Sequence, residues 1–286
     1  MEGMQVKALL YRMKCLTNMH VGSGDVAYTI IDNEIEKDTV LNNVAVIHPS
    51  GVKGAVKSFF NSQRIDSDII EYIFGNEVET GEAEREKKQK KTVPGKYRFM
   101  GATLMARPLR VSDGRVSYVL AVSEELINYQ LELFRALGIS HIDGIDITNM
   151  RIPIPKCPVM VSSTYEFKAV EGIETKPYED EKTRALLEKL IGPSFAVIEN
   201  KFWKEQEYPM IARNCLNDQG ISENLWYEEI VPHESVFYFP VLADNNYIEG
   251  FKNTMENIIQ FGANASLGYG LAKVSCFAES GGDFYG

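Results

Sequence analysis

A chain of 286 residues is long enough to bury a substantial core as one large domain or two small ones. No uninterrupted apolar stretch approaches the roughly 18 to 20 residues that a membrane span needs, and the first residues show neither a basic n-region nor an apolar h-region, so an untargeted, soluble, cytoplasmic protein with no membrane partner is expected. The net charge of -10 argues against wholesale phosphate binding, but much of the acid is clustered in Asp66 to Glu86, Glu171 to Glu188 and Trp226 to Glu234, which leaves room for a local basic groove. The four cysteines, Cys15, Cys157, Cys215 and Cys276, stand singly without CxxC spacing, which excludes a zinc site and implies free thiols in a reducing compartment.

The opening segment alternates, with Leu9, Tyr11, Met13 and Cys15 on one face and Leu10, Arg12, Lys14 and Leu16 on the other, the pattern of a half-buried strand. His20-Val21-Gly22-Ser23-Gly24 follows it directly. Its two glycines either make a turn or let backbone amides approach a phosphate. Val52, Ala55, Val56, Phe59 and Phe60 then repeat at helical spacing behind Ser50, a candidate N-cap. The same stretch, Pro49-Ser50-Gly51-Val52-Lys53-Gly54, opens that helix, where unpaired N–H groups and Lys53 suit an anion; the GxxxxGK[ST] spacing of a Walker loop is absent.

Residues 76–96 read NEVETGEAEREKKQKKTVPGK, an acidic block and then a basic one with little apolar to bury, and predict a mobile insertion. Strands are expected around Thr103 to Val111 and Arg115 to Val122 about a Ser112-Asp113-Gly114 turn, followed by a helix capped by Ser123, carrying Ile127, Leu131 and Phe134, and ending at Gly138. Pro153, Pro155 and Pro158 mark an extended connector. Met210 to Leu216 and Ile221 to Tyr227 flank Asn217-Asp218-Gln219-Gly220, a type I turn sequence, and predict a hairpin. Ile248, Phe251, Met255, Ile258 and Ile259 form an apolar helical stripe before the Gly-rich run Phe261 to Gly270 and a last strand carrying Ala272, Val274 and Cys276 on one face. Helices and expected hairpins mixed in this order give an α+β class with an antiparallel sheet.

Taken together, His20 to Gly24, Asp32-Asn33-Glu34-Ile35, Ser50-Gly51-Val52-Lys53-Gly54, Leu225-Trp226-Tyr227-Glu228-Glu229-Ile230-Val231-Pro232 and Gly262 to Gly270 resemble, in order and over nearly the whole chain, the RAMP proteins of CRISPR systems, and most closely the backbone subunits of type III-B (Cmr) effector complexes. Gly51 after Ser50, and Ala263 and Ala265 in the Gly-rich loop, depart from the family's usual residues. The resemblance implies a modified ferredoxin-like, RNA-recognition-type palm with a β-hairpin thumb at about 208–229 and loop insertions, all in one RAMP domain. It implies a subunit in antiviral defence that binds CRISPR guide RNA, stacks with further copies of itself and other Cmr subunits, and cuts single-stranded target RNA at regular intervals.

The same resemblance makes Asp32 the catalytic residue and ligand of a divalent metal, Mg2+ or Mn2+, with Asp25 and Asp38 as neighbouring competitors. It places His20, Gly22, Ser23, Gly24, Ser50, Lys53, Gly54 and Lys57 against guide RNA, together with Gly262, Asn264, Gly268 and Gly270 of the closing loop, and it sets Trp226 and Tyr227 to stack bases at the thumb's root. His20 is expected to hold its turn rather than act as a general base. Alternative readings are an inactive scaffold, a monomeric guide-processing endoribonuclease with a His-centred site, and an unrelated α+β oligomer binding a phosphorylated ligand. With four histidines, none beside another in sequence, the processing enzyme is disfavoured.

Overall fold

Alternation in the opening segment becomes an eleven-residue strand, Gln5–Cys15, at the heart of the main sheet. The structure is a computed structural model that describes residues 5–22, 31–80, 89–164, 166–282 and 284–285. In the main sheet the strand order is Lys176–Pro177, Val159–Val161, Phe195–Ile198, Tyr118–Ser123, Ala102–Gly114, Val236–Asp244, Gln5–Cys15, Leu271–Glu279 and Ile258–Gln260. Pairing along this path is antiparallel except where Phe195–Ile198 runs beside Tyr118–Ser123 and Val159–Val161 beside Lys176–Pro177. The class is α+β, as the sequence implies, in a form compatible with a modified ferredoxin-like palm.

Register decides what each face buries. Tyr11 lies directly opposite Phe239 and stacks on it with ring centroids 5.4 Å apart. On that face the helices α1 (Pro49–Ser62), α2 (Ser67–Phe74) and α6 (Ile248–Met255) close the core. Phe251 of α6 is its hub, in ring contact with Tyr11, Phe60, Tyr97 and Phe99. One residue along, Tyr238 points to the opposite face, where it meets Phe134 of α3 (Glu124–Ala136) and donates to the Leu190 carbonyl at the end of α4 (Glu181–Leu190), which the short α5 (Asn200–Lys204) follows in the chain. A period of two in the central strands thus feeds two helical layers.

Local signals set most of the boundaries. Ser123 Oγ accepts the Leu126 N–H at 3.2 Å, as an N-cap should, and Gly138 takes a left-handed φ of 75° just past the end of α3. Helix α1 starts one residue before Ser50, with Pro49 in its first turn and His48 at the cap, because proline's fixed φ suits that position; Ser50 is exposed. The strand expected to stop near Val111 continues through the Ser112-Asp113-Gly114 stretch to Gly114, because its far end also pairs with Phe167–Val170, and the chain reverses over 115–117 instead. The stripe from Ile248 is helical only to Met255; Ile258 and Ile259 belong to a strand that pairs with the last one. Within the charged stretch the flanks Gly75–Thr80 and Gln89–Pro94 pair as an antiparallel hairpin, and 81–88 lie outside the described residues. Among the described residues no helix is long and apolar enough to cross a membrane.

Candidate nucleic-acid interface

A second hairpin stands off the body. Met210–Leu216 pairs with Ser222–Glu229, and the connecting turn is closed by Gly220 N–H to the Asn217 carbonyl at 2.9 Å, with Gly220 at φ 76°. Asn217 Oδ1 accepts the N–H groups of Gln219 and Ile221, so the turn chemistry read from sequence is the chemistry present. Met210, Ile221, Leu225 and Tyr227 are exposed along it, an apolar load that none of the described residues covers. A lone two-stranded hairpin is marginal in water, so its footing decides whether it stands.

That footing consists of two buried glutamates. Glu228, 4% exposed, pairs with Arg213 of the facing strand at 2.6 Å and accepts the Asn264 Nδ2–H at 2.8 Å, while the Arg213 guanidinium lies over the Tyr269 ring. The hairpin is thereby locked to the Gly-rich loop. Glu229, 3% exposed, pairs with Lys37 at 2.7 Å and accepts the Ile35 N–H, which locks it to the segment that carries Asp32.

Asp32 itself is exposed and lies along the hairpin base. Its N–H and that of Asn33 both donate to the Tyr227 carbonyl, at 3.1 and 3.2 Å, and the Glu229 N–H donates to the Asn33 carbonyl at 2.9 Å. The Tyr227 N–H in turn donates to Asp32 Oδ2 at 2.8 Å. One carboxylate oxygen is therefore fixed by the hairpin strand and the other, Oδ1, has no partner among the described residues. Such a carboxylate is oriented before any ligand arrives.

His20 sits behind this arrangement. It is 6% exposed, its Nδ1 lies 2.8 Å from the Glu229 carbonyl, and its own carbonyl accepts the Ala263 N–H at 2.9 Å. Because a carbonyl can only accept, Nδ1 is the donor in this contact. His20 thus ties the hairpin base to the Gly-rich loop, in keeping with a positioning role. Gly22 forms a bridge with Ile35, and a Cβ on it would come within 3.0 Å of the His20 ring. Gly262 and Gly270 have φ of 74° and 77°, and a Cβ on either would strike a main-chain carbonyl, that of His20 or of Phe261. Gly268 shares the left-handed backbone but faces open space. Ser23, Gly24 and Asp25 lie outside the described residues.

Helix α1 joins the site only by its start. His48 Nε2 is 3.2 Å from Glu36 Oε1, and the Val46 N–H donates to the Glu36 carbonyl. Lys53 is half-buried with no hydrogen-bond or ion-pair partner among the described residues, and Gly54 faces open space. Lys57 is differently placed: its ammonium donates to the Gly75 carbonyl at 3.1 Å and braces the charged hairpin. Trp226 is half-buried opposite Arg213, and Tyr227 is exposed. Asp38 accepts the N–H groups of Val40 and Leu41 and so is a turn former.

Of the residues singled out in the sequence, Asp32, His20, Gly22, Trp226, Tyr227, Gly262, Asn264 and Gly270 lie together about the hairpin base and the Gly-rich loop. Arg213, Glu228 and Glu229 join them without a sequence signal, because two adjacent acids in an acidic stretch look like solvated surface. Lys37 and Arg213 are each paired with a glutamate. No group of three or more His, Cys, Asp or Glu placed to hold a metal occurs among the described residues.

The sequence profile of the RAMP superfamily matches residues 12–273. The CRISPR system Cmr endoribonuclease Cmr4 of Pyrococcus furiosus is 25% identical over 297 aligned residues, covering 94% of this chain and 96% of that protein. Among solved structures, oligomeric Cmr4 from Pyrococcus furiosus superposes with a TM-score of 0.68 at 17% identity, over 98% of this chain and 99% of that one. A chain of the type III-B Cmr-beta complex bound to cognate target RNA superposes with a TM-score of 0.66 at 18% identity, over 94% and 96%. A profile match over almost the full length, on a fold shared end to end with these structures, means that the chain belongs to the RAMP superfamily.

Proposed function

We propose that the chain is a guide-RNA-binding backbone subunit of a cytoplasmic type III-B CRISPR effector complex, and that each copy cuts target RNA once, beside Asp32. The observation that carries this reading is the pair of reciprocal hydrogen bonds between Asp32 and Tyr227. A hairpin with exposed Ile221 and Leu225 is suited to part stacked bases, and Asp32 lies at its root, so the carboxylate stands where a displaced strand would bend. The similarity over almost the full length to a Cmr endoribonuclease supports the same activity. Repetition at fixed spacing then follows from identical copies stacked along one guide.

The residues present suit a hydrated divalent cation better than a protein-built metal cage. Mg2+ is commonly held by one or two carboxylates plus substrate phosphates and keeps several waters, and a single fixed carboxylate with one unbonded oxygen meets that need. Asp32 would hold it, and when bound the cation neutralises charge gathering on the phosphoryl oxygens. The chain's own part is geometric. The Tyr227 N–H sets the carboxylate rotamer, Glu229 and Lys37 hold the loop against the hairpin, and Tyr227 and Trp226 confine the nucleotide beside the scissile phosphate. In-line attack by the adjoining 2′-hydroxyl then forms a P–O2′ bond as the P–O5′ bond breaks, leaving a 2′,3′-cyclic phosphate and a 5′-hydroxyl, the 2′ proton passing to solvent and the departing O5′ taking one from it.

Guide retention falls to the backbone amides of the Gly22 and Gly262 to Gly270 region and to Lys53 at the start of α1. A His-centred processing site finds no support. His20 is buried in a bracket, His48 faces Glu36, His141 faces Ser140, and His233 faces Asn18. Purification of the assembled complex tests the proposal. RNA of one uniform length should copurify, and labelled target should yield evenly spaced products with a divalent cation and none with chelator; an RNA-free monomer would overturn it.

A further inference from the structure

Behind the hairpin base, the strand Ala102–Gly114 carries Arg107, which is 2% exposed and has no carboxylate within ion-pair distance among the described residues. Burying an unpaired charge is costly, and here main-chain carbonyls and aromatic faces offset the loss. The guanidinium donates from Nη1 to the Glu207 carbonyl at 2.9 Å and from Nη2 to the Gln206 carbonyl. It lies 4.8 Å from the ring centroid of Trp203, in α5, and 4.2 Å from that of Tyr208. One side chain therefore holds the stretch that runs from α5 to the hairpin.

Two paths lead from that stretch to Asp32. Along the chain, the Pro209 carbonyl accepts the Ile230 N–H at 3.0 Å and Met210 opens the hairpin opposite Glu229, so this stretch sets where the strand carrying Tyr227 leaves the body. Across space, the Tyr208 hydroxyl oxygen accepts the Ala45 N–H at 2.7 Å. Ala45 is the strand partner of Lys37, and the Lys37 ammonium meets Glu229 at 2.7 Å. The hairpin strand and the Asp32 segment, which meet in the reciprocal bonds between Asp32 and Tyr227, are thus both referred to one guanidinium. We propose that Arg107 is a positioning residue for target cutting: by fixing residues 206–210 and, through the Tyr208 hydroxyl, the strand beside Lys37, it aims the Asp32 carboxylate. The inference rests on the function proposed above and adds to it a residue that is enclosed by protein and touches no RNA.

A planar fork that reaches two successive carbonyls while lying against two rings is a geometry that an ammonium lacks. Arg107→Lys therefore keeps the charge and most of the bulk but removes the hold, and Tyr208→Phe keeps the ring and removes only the hydroxyl. The test assembles whole complexes with wild-type, singly or doubly substituted chain and measures target affinity and the cutting rate at saturating target. Arg107→Lys should cut about tenfold more slowly, the scale of one lost bond to a charged donor, with target affinity unchanged. Tyr208→Phe should cut several-fold more slowly. The Tyr227 amide, held by Asp32 Oδ2, should exchange faster in both. Because the two changes loosen one shared path, the double variant should lose less than the product of the single losses. Cutting by Arg107→Lys at the wild-type rate overturns the proposal, and so do single losses that multiply. A slower rate explained by weaker target binding overturns it too, since Arg107 would then only stabilise the fold. Should Arg107→Lys not fold, Tyr208→Phe decides: a several-fold loss at unchanged target affinity upholds the proposal and a wild-type rate refutes it. If wild type gives no evenly spaced products, the parent reading fails; even cutting with unaffected variants removes only the positioning role.

Discussion

Removing the Arg213 side chain as Arg213→Met should loosen the hairpin without unfolding the body. The substitution keeps the aliphatic stem over Tyr269 but leaves the Glu228 carboxylate, 4% exposed, with Asn264 as its one remaining side-chain partner. Stripping one partner from a buried pair costs about 3 to 5 kcal/mol, and the surviving Asn264 bond places this case near 3 kcal/mol. Amide hydrogen exchange at Tyr227 and Glu229, whose N–H groups are held by Asp32 and Asn33, reads the local opening directly. Both should exchange roughly 100-fold faster, since each 1.4 kcal/mol is tenfold. Amides of the Gln5–Cys15 strand should hardly change. Adding Glu228→Gln removes the stranded charge and should restore most of the protection. If Arg213→Met alters exchange by less than about fivefold, the pair behaves as a solvated surface pair worth under about 1 kcal/mol, and the account of the hairpin's footing is wrong.

Gly262→Ala meets the His20 carbonyl as well as a left-handed backbone and should lower stability by well over 2 kcal/mol, whereas Gly268→Ala, with open space around it, should cost about 1 kcal/mol; calorimetric melting separates the two. Ser123→Ala removes the cap of α3 and should cost about 1 kcal/mol in the same assay. At pH 8 a thiol reagent should label exposed Cys215 on the hairpin first. Burial pushes the Cys15 thiol up to about 12 and the Cys276 thiol up to about 11, so Cys15 should not react until the body opens and half-buried Cys276 should react only slowly. Burial alone would raise the Glu234 carboxyl, but the Lys14 ammonium at 2.7 Å outweighs it and holds the group below its usual value. The pair therefore stabilises above the ordinary glutamate pKa, and that contribution is lost as pH falls through the lowered one. Lys14→Met should flatten this acid limb of a melting-temperature profile by an amount worth about 0.5 kcal/mol.

Elements whose signals are local were legible in the sequence. The Leu9 to Cys15 alternation, the Ser123 cap and the Asn217 to Gly220 turn each carry their own hydrogen-bonding or burial logic within a few residues. The grouping of His20, Asp32, Tyr227 and the Gly-rich loop came from the family resemblance, since no local rule joins positions some 200 residues apart. The end of α6 was misjudged because Ile258 and Ile259 continue a helical period while their partners on the last strand hold them extended. Glu228 and Glu229 were invisible for a related reason. A buried carboxylate is identified by its partner, and Arg213 and Lys37 become partners only when the hairpin folds back.

The most direct test of the central claim compares Asp32→Asn with wild type in assembled complexes given labelled target RNA. Asparagine can still accept the Tyr227 N–H, so the loop keeps its geometry while the charge is removed. The account predicts unchanged assembly and target binding, with the evenly spaced products gone. Cutting at the wild-type rate and spacing by Asp32→Asn would place the reaction at another residue and contradict it.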